Sequence, residues 1–239
     1  MKQWKIAVMR NAGRNPVSSN RSMTRWFYDV IGRFYDLLYH RLIRGYVESA
    51  GALMDEVIEE GDMVLDVGCG TGLLTYLAEP KAKGVVGIDL SMGMLQKARR
   101  KKKLDQNLLF LNGDALNLPL KPEFDCCVSA FMLVMLPKEK RWQVIQQMYG
   151  LLKPGGRVAF LTSRRDLGSQ WFSGQEWKEG LKKIGLEHVQ VSFEGDVFMN
   201  ITGIKPDPNQ SSLRRKAVTA DSEVLESSPL YKTVPTYAN

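Results

Sequence analysis

Histidine and cysteine are scarce in this 239-residue chain, with two of the one and three of the other. So small a stock excludes a disulfide framework, and Cys69, Cys126 and Cys127 lack the spacing of a zinc site. The adjacent pair Cys126-Cys127 lies inside a strand-like run and reads as buried thiols. No apolar run approaches the roughly 20 residues of a membrane span. The longest, Cys126 to Leu136, is broken by Ser129 and stopped by Pro137. Ile6-Ala7-Val8-Met9 is too short for the apolar core of a secretion signal, so the expectation is a cytoplasmic protein. Internal repeats are absent, as is any acid cluster suited to a metal. No Lys-Ser/Thr pair follows a glycine loop, which excludes a P-loop.

What is present is concentrated in one stretch, Val64-Leu65-Asp66-Val67-Gly68-Cys69-Gly70-Thr71-Gly72. An aliphatic run ends in an acid, and three glycines then alternate with small residues. This predicts a buried strand entering a turn where backbone approaches a ligand closely. Leu73 to Ala78 follows at once as the start of a helix. Free N–H groups and the helix dipole at such a junction would favour a ligand carboxylate or phosphate. The G-x-G-x-G spacing differs from the dinucleotide G-x-G-x-x-G.

Two later stretches repeat the strand-to-acid pattern. Gly84 to Asp89 is the next expected strand, and its terminal acid lies 23 residues after Asp66. An acid in that position of a doubly wound sheet hydrogen-bonds the two ribose hydroxyls of an adenosine. Leu109-Phe110-Leu111-Asn112-Gly113-Asp114-Ala115 is the third, with Asp114 placed to accept from an adenine amino group and Ala115 to offer its N–H.

These motifs resemble the class I S-adenosylmethionine-dependent methyltransferases over roughly residues 24–205. Phe124 to Phe131 is similar to that family's fourth strand, and Leu151 to Phe160, with Lys153-Pro154-Gly155-Gly156, to its turn into the fifth. The resemblance implies S-adenosylmethionine as cofactor and a site made of Asp66, Gly68, Cys69, Gly70, Thr71, Gly72, Asp89, Leu90, Met94, Asp114, Ala115 and Ser129. It further implies a seven-stranded, mostly parallel α/β sheet, doubly wound and Rossmann-like, with a helical amino-terminal cap.

Strands are expected near 63–67, 85–89, 108–112, 124–130 and 156–162, and crossover helices near 73–79, 92–103 and 138–152. Strand–helix alternation of this kind means a parallel sheet covered on both faces. A helix at Glu176–Ile184 and two alternating segments, Leu186–Phe193 and Phe198–Ile204, complete the pattern. Gly195-Asp196 between the two segments predicts a hairpin turn. Residues 1–22 read as a mobile basic segment and 23–205 as the methyltransferase-like domain, with its cap over 23–60. Residues 206–239 read as a disordered tail.

Within the cap, Phe27-Tyr28-Asp29 is echoed by Phe34-Tyr35-Asp36. The second copy resembles the Tyr-Asp signature of quinone-biosynthesis C-methyltransferases and bacterial phospholipid N-methyltransferases. That likeness implies Tyr35, and Tyr28 behind it, as residues approaching the cofactor. Tyr35 and His40 are the candidate catalytic residues; His188 alternates within a late strand and reads as structural.

The net charge of +7 is uneven. Residues 1–50 hold nine Lys/Arg against three Asp/Glu, whereas residues 51–205 hold twenty against nineteen. A basic amino terminus beside Trp4, Trp26, Phe27 and Tyr28 points to an anionic membrane surface or to nucleic acid, the latter less favoured. The Lys97–Lys103 cluster reads as a solvated helix end.

Ser129-Ala130-Phe131-Met132 has none of the Asn/Asp-Pro-Pro-aromatic character of amino-methylating enzymes. Leu133-Val134-Met135-Leu136 lacks the histidine of many small-molecule relatives and suggests an apolar pocket wall. The expected acceptor is therefore small and lipophilic, a quinone precursor or a phospholipid head group. The alternatives are an RNA or protein methyltransferase gripping through its basic extension, and a non-catalytic cofactor-binding protein.

Overall fold

A computed structural model describes residues 45–101, 107–164 and 172–209. The expectations for Tyr28, Tyr35, His40, the basic segment 1–22, most of the cap and the tail from 210 lie outside the described residues. The α/β unit runs to Lys205. In the second unit, which starts at Pro206, the Asp207 side chain accepts the Asn209 N–H at 2.9 Å.

In chain order the elements are α1 (Tyr46–Val57), β1 (Met63–Val67), α2 (Leu73–Ala78), β2 (Gly84–Asp89), α3 (Met92–Lys101), β3 (Leu108–Asn112) and β4 (Phe124–Ala130). A single 3₁₀ turn (Leu133–Met135) follows, then α4 (Lys138–Leu151), β5 (Leu152–Ser163), α5 (Gly174–Ile184), β6 (Glu187–Glu194) and β7 (Phe198–Ile204). The seven strands form one sheet in the order β3-β2-β1-β4-β5-β7-β6. Only β7 is reversed; it pairs antiparallel with both β5 and β6.

The central strands are mostly apolar because helices cover both of their faces. All five residues of β1 are buried. On one face Ala50, Leu53 and Met54 of α1 join Leu74 of α2 and Leu95 of α3 over Val64, Val85 and Val128. On the other, Val144, Ile145 and Met148 of α4 and Trp177 of α5 pack on Leu65, Val86, Cys127 and Phe160. Cys126 and Cys127 are fully buried, as expected, and burial pushes the Cys126 thiol up to about 12.

Two local expectations change. Strand β5 begins at Leu152, directly at the end of α4, so Lys153–Gly156 bulges between the pairs Phe124↔Leu152 and Cys126↔Arg157. Gly155 turns through φ +76°, and its N–H donates to Lys205 O at 2.9 Å. His188 is not an ordinary alternating strand residue. It is exposed, has φ +51°, and sits where the β6–β7 register slips between Glu187 and Gln190. The bulge takes up one residue, and histidine tolerates the left-handed region better than most side chains.

Candidate functional site

Strand order reverses at β1, with β2 and β3 on one side and β4 and β5 on the other. Helical connections leave opposite faces of the sheet there, which opens a crevice at the carboxyl ends of β1 and β4. The glycine turn starts at that point. Gly68, Gly70 and Gly72 all adopt left-handed backbone, with φ of +74°, +54° and +89°. No L side chain enters that region without strain.

The three glycines face different surroundings. A Cβ on Gly68 would stand 2.1 Å from Met132 Cγ, and one on Gly72 would stand 3.1 Å from the Tyr76 ring. A Cβ on Gly70 would meet nothing within 4 Å. Gly70 alone of the three therefore borders open space.

Four N–H groups of the turn are donated within the protein. Gly68 N and Cys69 N donate to Ile88 O at 2.8 and 3.1 Å, and Gly72 N donates to Cys69 O at 2.8 Å. Gly70 N donates to Asp89 Oδ2 at 2.8 Å. Adjacent strand ends absorb these donors because β1 and β2 are in register up to Val67↔Ile88.

Acids dominate the remaining surface. Asp89 Oδ1 accepts the Ser91 N–H at 2.8 Å, so its carboxylate is fixed at both oxygens. Asp66 is buried, and its Oδ2 accepts the Thr75 hydroxyl at 2.6 Å. Burial raises the Asp66 carboxyl to about 7, the Thr75 hydrogen bond opposes that shift and the Asp89 charge adds to it. Cys69 is buried beside both acids, and burial first, then the Asp66 and Asp89 charges, hold its thiol well above its usual range. A thiol so held is not a nucleophile.

The other expected residues are tied into the neighbouring strand ends and turns. Ser91 Oγ accepts the Met94 N–H at 3.2 Å at the start of α3, and Met94 is buried. Leu90 O and Asp89 O both accept from Asn112 Nδ2, at 2.9 and 3.0 Å. Thr71 O accepts from Lys101 Nζ at 3.3 Å. Asp114 Oδ1 accepts the Leu116 N–H at 2.9 Å, and this closes a turn that carries Ala115. Ser129 is buried, and its hydroxyl donates to Val67 O at 2.7 Å, tying β4 to β1 within the sheet.

The contacts of Thr75, Asn112, Phe131 and Met132 are not legible in the sequence, because each is made through space in the folded chain. The Leu133–Leu136 stretch, with Phe131 before it, is not one apolar wall. Phe131 belongs to the core on the α1 face and Leu133 to the opposite core, while Met135 is exposed.

The donor set is the fit test for a cofactor. The Asp66 and Asp89 carboxyls flank a turn whose N–H groups at positions 68, 69, 70 and 72 are donated within the protein. Such a surface suits a ligand that brings its own donors and positive charge, and disfavours a phosphate. A sulfonium nucleoside with an ammonium group, two ribose hydroxyls and an exocyclic amine has that complement. Among the described residues no His/Cys/Asp/Glu cluster could hold a metal ion.

Sheet order, glycine turn and acid-ended strands together define a nucleoside-binding doubly wound α/β protein. Residues 64–156 match the family described as "Methyltransferase domain". An uncharacterized methyltransferase of Oceanobacillus iheyensis is 35% identical over 176 residues, covering 71% of this chain and 76% of the relative. The chain belongs to the S-adenosylmethionine-dependent methyltransferases, whose cofactor is S-adenosylmethionine. Demethylmenaquinone methyltransferase of Staphylococcus saprophyticus is 36% identical over 139 residues, 56% of each chain. The solved DhpI-SAH complex shares the fold at TM-score 0.62 and 23% identity, covering 80% of this chain and all of the other. Against three Geobacillus relatives the chain spans 63–64% of their length.

Proposed function

We propose that the protein transfers the methyl group of S-adenosylmethionine to a small lipophilic acceptor, a quinone precursor or a phospholipid head group. The observation that carries this reading is the glycine turn itself. It is open only at Gly70, its donors are used internally, and Asp89 is locked beside it by the Gly70 N–H. Likeness to demethylmenaquinone methyltransferase and the F-Y-D echo favour the lipophilic acceptor.

When bound, the cofactor supplies a sulfonium methyl that an acceptor nucleophile takes in line, the bonding pair staying on sulfur and the acceptor releasing a proton. Asp89 would hold the ribose hydroxyls. Asp114 and Ala115 would meet the adenine. Gly70 would lie against the methionine portion, in the open space beside it. Asp89 would give the positive ligand a favourable field. Tyr35, with Tyr28 and His40, would close the site and exclude water, which is the main service an already activated methyl donor needs.

Residues 1–44 would bring the acceptor. Their basic excess should draw the segment to anionic head groups, at about 1 kcal/mol per basic residue near the surface. No described helix is long and apolar enough to cross a membrane, so peripheral contact is the route proposed.

The test is incubation with methyl-labelled S-adenosylmethionine and host extract, separated into lipid, RNA and protein fractions. Label in lipid supports the reading, and label in RNA or protein replaces it. Cofactor binding with no transfer makes the protein a non-catalytic binder. Liposome co-sedimentation should require anionic lipid, weaken with salt and fail without residues 1–22.

A further inference from the structure

Phe131 is an outlier that the cofactor site does not explain. It is a buried, bulky, non-glycine residue with φ +54°, directly after β4. Such backbone is strained for a large side chain and persists only where the surroundings over-determine it. Here they do. The Phe131 N–H donates to Leu161 O at 2.9 Å, which extends the β4–β5 pairing by one residue. Its ring meets Tyr46 edge-on at 5.3 Å and Phe198 at 6.2 Å, so α1 and β7 hold it from two sides. Beyond it, Arg141 donates through Nε to Leu136 O at 2.9 Å and through Nη2 to Val134 O, anchoring the far end of the loop.

The residue between these anchors is Met132. Its Cβ, Cγ and Cε lie 2.4, 2.1 and 3.5 Å from the point where a Gly68 side chain would begin. Met132 therefore fills the space over the first glycine of the turn. An extended residue at 131 would continue the strand and carry Met132 away from Gly68; the left-handed turn brings it back across β1.

We propose that Phe131 and Met132 act as one positioning unit for the cofactor turn. The left-handed backbone at Phe131 sets the Met132 side chain on Gly68, and that contact holds the turn in its binding shape from the β4 side. Neither residue is catalytic. The inference rests on the cofactor lying at the glycine turn, so binding rather than turnover is the readout.

The experiment is calorimetric titration with S-adenosylhomocysteine, alongside thermal melting, on the full chain. Met132→Ala should weaken binding about tenfold, the scale expected when a site group is misplaced, and Met132→Leu should restore most of it. Phe131→Gly and Phe131→Ala both lose the ring, but glycine adopts φ +54° freely and alanine does not. Phe131→Gly should therefore bind more tightly than Phe131→Ala. Variants that melt earlier yet bind like the parent would overturn the proposal and leave ordinary core packing. So would an Ala variant at 131 that binds better than the Gly variant. If the unmutated protein binds no S-adenosylhomocysteine, the cofactor reading itself fails, and the positioning proposal falls with it.

Discussion

Asp89 accepts the Gly70 backbone N–H at 2.8 Å, joining the acid that ends β2 to the open glycine of the turn after β1. One carboxylate thereby ties the end of β2 to the turn that follows β1. Asp89→Ala should weaken S-adenosylhomocysteine binding at least tenfold, since each charged hydrogen bond is worth roughly 1.5–3 kcal/mol. Calorimetry on a variant with normal far-UV circular dichroism checks this. Unchanged affinity would remove Asp89 from the site.

Glycines 68 and 70 should fail differently. Gly70→Val places a β-branched side chain at φ +54° in the space left for the ligand, so binding should vanish. Gly68→Ala drives a methyl into Met132 and should lower the melting temperature as well as affinity. Parallel melting and titration curves distinguish the two.

Asp66 should make stability fall with rising pH. Its folded pKa of about 7 lies above the ordinary 3.8, so between those values the native state holds a proton that the unfolded chain has lost. Stability is then greatest below the unfolded value and declines as pH rises through about 7. The 1.36 kcal/mol carried by each unit makes the full effect roughly 4 kcal/mol. Asp66→Asn has no proton to lose. Denaturant titrations at pH 5 and pH 8 should show the variant gaining on the parent at the higher pH, and a constant gap would refute the assignment.

Ser129 should matter to the sheet before it matters to the cofactor. Ser129→Ala leaves Val67 O without its hydroxyl partner, at a cost of about 1 kcal/mol in stability. Cofactor affinity should be unchanged. A selective loss of affinity at constant stability would return Ser129 to the ligand's contacts.

The strand and helix order was legible in the chain because its signals are local. Val64-Leu65 and Val85-Val86 are aliphatic pairs closed by acid or glycine, and Gly195-Asp196 marks its own turn. Asp89 ends β2 and Asp66 lies one residue before the end of β1, whereas Asp114 falls two residues beyond β3. Local pattern was a poorer guide at His188, where alternation suggested a plain strand and the paired register slips instead.

Tertiary structure decided which groups remain available at the site. Residue types fixed an acid and three glycines at the turn, but Ile88 O takes the Gly68 and Cys69 donors from the neighbouring strand. Met132 covers Gly68 from β4, and Thr75 reaches Asp66 from α2. Burial, not sequence neighbours, raises the Asp66 carboxyl. Hydrogen-bond partners, left-over volume and desolvation depend on distances through space. Those distances exist only after the crossovers have brought β1, β2 and β4 side by side.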